Sequence, residues 1–298
     1  MRTTEVKTEA KPDPNLQRLV QWLEQWIPAP VAPDWSALAF QWRKTRVLGM
    51  EHAQLVPVRR IARIEAEDLL GVEIQKQDIL RNTEQFVRGL PANNVLLTGA
   101  RGTGKSSLVR ACLARFGERG LRLIEVDKAD LVDLPLIAER ISERPERFIV
   151  FCDDLSFEPS DASYKALKAA LDGSVAAGAS NLIIYATSNR RHLMPESMQE
   201  NLSARYDDEG DLHPGETSEE KISLSERFGM WLSFRSFRQD DYLEIVAHWL
   251  AHFQLGPEDI AAARAEALQF ALQRGSRSGR VATQFARDYA GRLGLARP

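Results

Sequence analysis

The feature that most constrains the fold of this 298-residue chain is a glycine-rich stretch behind a short apolar run. Residues 99–106 have the sequence Gly-Ala-Arg-Gly-Thr-Gly-Lys-Ser. The residues just before them, 94–98, have the composition of a buried strand, and residues 106–116 have the pattern of a helix. A strand, this spacing of glycine and lysine, and a helix form the context of a phosphate-binding loop. The sequence therefore predicts a site for a nucleoside triphosphate.

The residue types in this loop match that chemistry. Glycines let consecutive backbone N–H groups point toward one anion, and the helix N-terminus adds its positive dipole end. Lys105 is expected to neutralise the outer phosphates, and the Ser106 hydroxyl to bind Mg²⁺. The expected nucleotide-binding residues of the loop are Gly99, Ala100, Arg101, Gly102, Thr103, Gly104, Lys105, Ser106 and Ser107.

A second apolar run, residues 148–152, ends in two adjacent acids, Asp153 and Asp154. In ATPases with a phosphate-binding loop, one acid at such a strand end helps to hold Mg²⁺, and another residue orients the attacking water. We expect Asp153 to take the metal-binding role and Asp154 to orient the water.

Further short apolar runs alternate with helical stretches along the middle of the chain. Together with the two runs above, residues 122–126, 181–187 and 230–234 predict five buried parallel strands. From residue 238 to the end, helical periodicity continues without any strand pattern, which predicts a helical lid. The predicted fold class is α/β, with a parallel sheet flanked by helices as in P-loop NTPases.

The first 69 residues differ from the rest. Residues 1–15 are polar and expected to be disordered, and residues 16–27 have an apolar stripe at helical spacing. A second helix is predicted from Asp34, with Trp35, Leu38 and Trp42 on one side. Four of the six tryptophans lie in this region, where they either pack it onto the main domain or form a partner surface. The predicted organisation is a leader (1–15), an N-terminal helical region and connector (16–69), an α/β core (70–237) and the lid (238–298).

Composition bears on compartment and partners. No apolar run approaches the roughly 20 residues that span a bilayer, and the N-terminus is too polar for a secretory signal, so we expect a cytoplasmic protein. The net charge of −3 does not favour nucleic acid as a partner. Residues 196–226 carry ten acidic residues against two basic ones, which is typical of a solvated loop or a partner-binding loop.

Four more motifs surround the predicted core. Gly71-Val72-Glu73 precedes the first strand, Asn189 follows a later one, Arg227 precedes the last, and Arg280 begins a helix of the lid. With the loop and the two acids, these motifs resemble the AAA+ ATPases from about residue 70 to the C-terminus.

A narrower resemblance rests on three strings, at residues 82–86, 151–158 and 187–193. They are similar to the bacterial domain-of-unknown-function 815 group of AAA+ proteins. The AAA+ resemblance implies that the backbone at Val72 helps to bind adenine, and that Asn189 and Arg280 act as sensors. It also implies a homo-oligomer in which Arg227 is an arginine finger that acts on a neighbour's triphosphate. A surface arginine paired with Glu226 is the alternative for Arg227.

The expected activity is hydrolysis of ATP with Mg²⁺, in an oligomer that remodels a protein client or complex. The candidate catalytic residues are Lys105, Asp154, Asn189, Arg227 and Arg280. Most AAA+ ATPases have Asp-Glu where this chain has two aspartates, and a displacement of about 1 Å can cost on the order of a hundredfold in rate. Either the loop compensates, or Glu158 reaches in, or hydrolysis is slow. A nucleotide-controlled switch with little turnover and a nucleic-acid-associated loader are therefore alternatives.

Overall fold

A computed structural model gives the architecture of the greater part of the chain. It describes residues 33–47, 50–61, 64–157, 161–172, 180–190 and 226–296, with isolated positions at 13, 15, 18, 193, 205–206, 212–213 and 224. Across these residues a central sheet is covered on both faces by helices, and three helices follow the last strand.

The strands of the described chain are β1 (Ala39–Val47), β2 (Met50–Pro57), β3 (Val95–Gly99), β4 (Leu121–Glu125), β5 (Arg147–Cys152), β6 (Leu182–Ser188), β7 (Arg205–Tyr206), β8 (Leu212–His213) and β9 (Met230–Phe234). Seven of them form the central sheet, in the order β2-β1-β4-β5-β6-β3-β9. Six strands are parallel, and β2 is antiparallel to β1. The five predicted strands are confirmed as β3, β4, β5, β6 and β9. Strands β7 and β8 pair with each other in a separate two-stranded sheet.

The predicted helix from Asp34 is wrong, because this part of the chain forms strand β1. Phe40 and Trp42 are buried, whereas Arg43 is exposed, so the side chains near the start of the strand largely alternate between the core and solvent. Strand β1 pairs in parallel with β4, and β2 adds an antiparallel edge. The sheet therefore begins at residue 39, well before the predicted start of the core at residue 70. The other predicted N-terminal helix, residues 16–27, lies outside the described residues except for Arg18.

The two faces of the sheet carry separate hydrophobic clusters. Along β5, Ile149 and Phe151 belong to one cluster, and Phe148, Val150 and Cys152 belong to the other. Because both faces are covered, β5 is buried along nearly its whole length, which explains its continuous apolar sequence.

Seven α-helices of the described chain cover these faces: α1 (Glu73–Val87), α2 (Lys105–Phe116), α3 (Leu134–Ile141), α4 (Ala162–Leu171), α5 (Gln239–His252), α6 (Pro257–Gln273) and α7 (Gly279–Ala296). Helices α1, α2 and α5–α7 contribute to the first cluster, and α3 and α4 contribute to the second. In the described residues, no helix combines the length and the apolar character needed to cross a membrane.

The parallel arrangement decides where a site can form. Strands β3, β5 and β6 are neighbours in one parallel layer, so their carboxyl ends meet at one edge of the sheet. The glycine-rich loop follows β3, the two aspartates follow β5, and Asn189 follows β6. Ligands of open α/β sheets bind at this edge.

Candidate active site

The glycines of the loop between β3 and α2 are required by close backbone approaches. Gly99 has a φ of +135°, and a Cβ atom there would lie 1.9 Å from the carbonyl oxygen of Phe234 on β9. Gly102 has a φ of +75°, and a Cβ there would lie 2.8 Å from the Ser278 hydroxyl. Only glycine fits at Gly99 without movement of the main chain, so the loop is held in a fixed shape between β9 and the start of α7.

Lys105 is the first residue of α2, and its side chain folds back over the loop. Its Nζ donates hydrogen bonds to the carbonyl oxygens of Gly99 and Ala100, both at 2.8 Å, and to Asn189 Oδ1 at 3.0 Å. Lys105 is only 6% exposed. Burial lowers the pKa of Lys105, and the nearby charges of Asp153 and Asp154 oppose that effect. An anion bound in the loop would therefore meet an ammonium group already fixed in place.

Asp153 connects the loop to the ends of β5 and β6. Its Oδ1 accepts hydrogen bonds from the Ser106 hydroxyl at 2.6 Å and from the Thr187 hydroxyl at 2.5 Å. A hydroxyl oxygen and a carboxylate are hard oxygen ligands that suit Mg²⁺. Among the described residues, no group of three or more histidine, cysteine or acidic side chains is placed to hold a metal ion. The pair fits a metal that takes its remaining ligands from phosphate oxygens and water, as Mg²⁺ usually does.

Asp154 sits in a left-handed backbone conformation, with a φ of +54°. Its backbone N–H donates to the Thr187 hydroxyl oxygen at 2.9 Å. Its side-chain Oδ1 accepts a 2.5 Å hydrogen bond from Asn189 Nδ2, and its Oδ2 lies 3.8 Å from Arg101 Nη2. The carboxylate is 57% exposed, so water can reach it. The amide of Asn189 therefore bridges Lys105 and Asp154.

The lid closes the opposite side of the site. The Cβ of Arg280, near the start of α7, lies 3.3 Å from the position that a Cβ on Gly102 would take. On α5, His248 Nε2 lies 3.1 Å from Asp68 Oδ1, which ties the lid to the segment that precedes α1. Arg280, the predicted sensor arginine, therefore lies against the glycine-rich loop.

A cleft of about 1010 Å³ lies between these parts. Its described lining carries five cationic side chains and three acidic ones, although the whole chain has a net charge of −3. An excess of positive charge in a concave site suits a polyphosphate. Of the predicted site residues, those that line the cleft are Val72, Arg101, Gly102, Thr103, Gly104, Lys105, Ser106, Ser107, Asp153, Asp154, Asn189 and Arg280.

Arg227 does not line this cleft. It lies near the start of β9, and its Nε donates a 2.5 Å hydrogen bond to Asp172 Oδ1 at the end of α4. Its side chain is 26% exposed. Glu158, the other candidate for orienting water, lies outside the described residues, as does most of the acidic stretch 196–226.

The family of the chain follows from a comparison with family models. The family described as "Protein of unknown function (DUF815)" matches residues 36–293. The chain belongs to this family. A comparison with the curated proteins finds no match.

Solved structures show the fold. One mutant form of RuvB from Thermotoga maritima has a TM-score of 0.52 at 18% identity, over 78% of this chain and 67% of that one. ORC1 from Aeropyrum pernix, in complex with DNA, has a TM-score of 0.50 at 16% identity, over 80% and 67%. The chain spans 63% of the length of two other RuvB variants. At these identities the likeness shows the fold alone, which is the AAA+ fold.

Sequence reasoning missed Thr187 in this DUF815 protein. Its hydroxyl accepts from the backbone of Asp154 and donates to Asp153, so it fixes both acids relative to β6. The available signal was a polar residue at the end of a buried strand, directly beside the strand that carries the acids. Arg110 and Arg287 also line the cleft and were not singled out.

Proposed function

We propose that this protein binds ATP with Mg²⁺ and hydrolyses it to ADP and phosphate, in a homo-oligomer that remodels a protein client or complex. The observation that carries the proposal is the convergence of the glycine-rich loop, Lys105, both aspartates, Asn189 and Arg280 on one cleft. These groups come from separate parts of the chain, and a structural role would not require them to meet.

The backbone N–H groups of the loop and Lys105 hold the phosphates, and Arg280 reaches them from the lid. The apolar part of the lining, which includes Leu70, Val72 and Trp249, suits a purine base. Ser106 and Asp153 would hold Mg²⁺, which supplies charge neutralisation at the outer phosphates.

Hydrolysis is assigned to the groups around Asp154. The Asp154 carboxylate orients and deprotonates the attacking water, and Asn189 fixes one of its oxygens. Lys105 and Arg280 stabilise the charge that spreads over the phosphoryl oxygens. Arg227 completes the site of a neighbouring subunit, where an arginine of this kind is worth about 10³ to 10⁵ in rate.

A nucleotide-controlled switch with little turnover is the second candidate. The observation that favours it is the short side chain of Asp154, which has one oxygen bonded to Asn189 and the other facing Arg101. Nucleotide occupancy would then act by ordering the lid over the cleft rather than through turnover. A nucleic-acid-associated loader is also an alternative, since the similar ORC1 was solved with DNA.

The test compares nucleotide binding and turnover in the unaltered chain, Lys105→Ala and Asp154→Asn. We expect Lys105→Ala to lose ATP binding, and Asp154→Asn to bind ATP but turn it over much more slowly. Lys165→Ala, which changes an exposed lysine on α4 outside the cleft, is the matched control. Tight binding with almost no turnover in the unaltered chain would favour the switch, and stimulation by DNA would favour the loader. Absence of ATP binding would contradict all three.

A further inference from the structure

Arg101 is a loop residue whose side chain turns toward the proposed catalytic acid. Its Nη2 lies 3.8 Å from Asp154 Oδ2, and 78% of its side chain is exposed. Among the described residues, Asp154 is the one acid with which Arg101 forms an ion pair. Arg101 belongs to the loop itself, so its cation remains beside the phosphate site whether or not a second subunit is present.

The position of Arg101 complements that of Lys105. Asn189 receives a hydrogen bond from Lys105 through its oxygen and donates one to Asp154 through its nitrogen. Arg101 faces the other oxygen of the same carboxylate. The two cations therefore flank one amide and carboxylate pair. The charge of Arg101 also contributes to lowering the pKa of Lys105, after the larger effect of burial.

The pair of Arg101 with Asp154 is suited to exchange. Long, solvent-exposed ion pairs stabilise proteins little, because water and salt screen them. A triphosphate carries more charge than one carboxylate, and phosphate oxygens accept two parallel hydrogen bonds from a guanidinium. The guanidinium of Arg101 can therefore move from Asp154 to a phosphate group of a bound nucleotide with little loss of free energy.

Arg227, unlike Arg101, is not placed to bind a nucleotide in the cleft of its own chain. It is bonded to Asp172 of its own chain and stands outside the cleft. It can act on a triphosphate only through an assembly that brings it to a neighbour. Within one subunit, the described arginine that reaches the catalytic carboxylate is Arg101.

We propose that Arg101 is a catalytic arginine that acts in cis, on the γ-phosphate bound by its own subunit. The inference rests on the proposed ATP hydrolysis. In the step, the water oxygen bonds to the γ-phosphorus while the bond from that phosphorus to the bridging oxygen breaks, and the electron pair leaves with ADP. The water proton passes to the Asp154 carboxylate and then to solvent. The guanidinium donates to the γ-phosphate oxygens as charge spreads over them.

The exchange gives Arg101 a second effect. While it faces Asp154 Oδ2, it competes with water for that oxygen. When the γ-phosphate takes the guanidinium, the oxygen becomes free to accept a hydrogen bond from the attacking water. ADP lacks this phosphate. Arg101 therefore leaves Asp154 when ATP is bound and stays paired with it when ADP is bound.

The experiment uses Arg101→Ala and Arg101→Lys in the full chain. Arg115→Ala is the matched control, because Arg115 is also exposed and also makes a 3.8 Å ion pair, with Glu67, outside the cleft. We measure kcat over a range of protein concentrations, affinity for ATP and for ADP, and formation of the complex with ADP and aluminium fluoride, which mimics the transferring phosphoryl group.

For Arg101→Ala, kcat should fall about a hundredfold, by the same factor below and above the concentration at which subunits assemble. The aluminium fluoride complex should be lost, and affinity should fall more for ATP than for ADP. Arg101→Lys should recover part of the ATP preference, because it keeps the charge but loses the paired donors.

A kcat for Arg101→Ala within threefold of the control, or equal losses of ATP and ADP affinity with unchanged kcat, would overturn the cis role. A loss seen only above the assembly concentration would overturn it too, because Arg101 would then act across an interface. If the unaltered chain lacks turnover, the proposed hydrolysis itself fails.

Discussion

At the scale of single residues, Gly99 is the position where a small change has a large predictable effect. A Cβ at Gly99 would overlap the carbonyl oxygen of Phe234, so alanine there must push β9 away from the loop. Gly120 is a matched control, since it also has a positive φ, of +93°, but a Cβ there would meet nothing within 4 Å.

We expect Gly120→Ala to cost about 1 kcal/mol through backbone strain alone. Gly99→Ala should cost about 3 kcal/mol or more, because the backbone overlap adds to the strain. Urea unfolding of both variants measures the difference. Equal midpoints would show that β9 yields freely and that the loop is not held by it.

Asp154 offers a second prediction at this scale. Asp154→Asn keeps the shape of the side chain and removes its charge, so the group can no longer take a proton from water. We expect kcat to fall by about 10² to 10⁴ while ATP affinity changes little. Asp78→Asn is the control, because Asp78 pairs with Arg81 on α1 and stands outside the cleft. Unchanged turnover in Asp154→Asn would assign the water to a different residue.

At the scale of helices and strands, prediction from sequence succeeded where one physical pattern dominated. Strands β3, β5 and β6 are buried on both faces, and each contains at least three consecutive apolar residues. Strand β4 is less continuous, because the partly buried Arg122 follows Leu121. The loop and the two acids follow such strands, and the rule that parallel strand ends meet at one edge predicts their proximity. The lid helices were predictable from helical periodicity alone.

The apolar pattern of residues 35–42 does not distinguish strand β1 from a helix. Trp35, Leu38 and Trp42 lie at intervals of three and four residues, which fits a helix, but Phe40 and Trp42 also alternate as in a strand. Packing decides between them. Strand β1 pairs with β4, and the Trp42 indole donates a 2.9 Å hydrogen bond to Asp133. Neither partner is adjacent in sequence, and for the same reason the contacts of Thr187 were not predicted.

The reactivity of the two cysteines reports how tightly helix α2 and strand β5 are packed. Cys112 on α2 and Cys152 on β5 are both buried, and burial raises the pKa of each thiol to about 12. The thiolate is the reactive form, so we expect neither cysteine to react with iodoacetamide at neutral pH until the protein unfolds. Mass spectrometry of native and denatured samples measures this. Rapid labelling of either residue in the native state would indicate local opening of its element.

The same thiols predict a dependence of stability on pH. Their ordinary pKa is 9.0, and the folded protein raises it, so the folded state binds their protons more tightly. The resulting stability is fully present below pH 9.0 and is lost as pH rises toward about 12. Replacing both cysteines with alanine should make the alkaline loss of stability shallower. An identical loss in the double variant would assign the effect to other groups.

At the scale of the whole molecule, the proposed action of Arg227 in trans requires it to reach the cleft of a neighbouring subunit. The cleft contains the loop, both acids and Arg280 of one chain, whereas Arg227 is bonded to Asp172 beyond it. If Arg227 of one subunit meets the cleft of the next, rotational symmetry repeats that contact at every interface of a closed ring. Because the Arg227 and Asp172 pair is partly exposed, its loss should leave the fold intact.

Mixing two defective variants tests this arrangement. Lys105→Ala removes the amine proposed to bind phosphate, and Arg227→Ala removes the proposed finger, so each variant alone should hydrolyse ATP slowly. In mixed assemblies, an intact cleft of an Arg227→Ala subunit can meet an intact Arg227 of its neighbour, and turnover should exceed the sum of the separate variants. A finger acting within its own subunit cannot be restored in this way, because no subunit then holds both groups. Turnover of the mixture equal to that sum would therefore contradict the action in trans, provided that particle mass shows that the subunits have assembled.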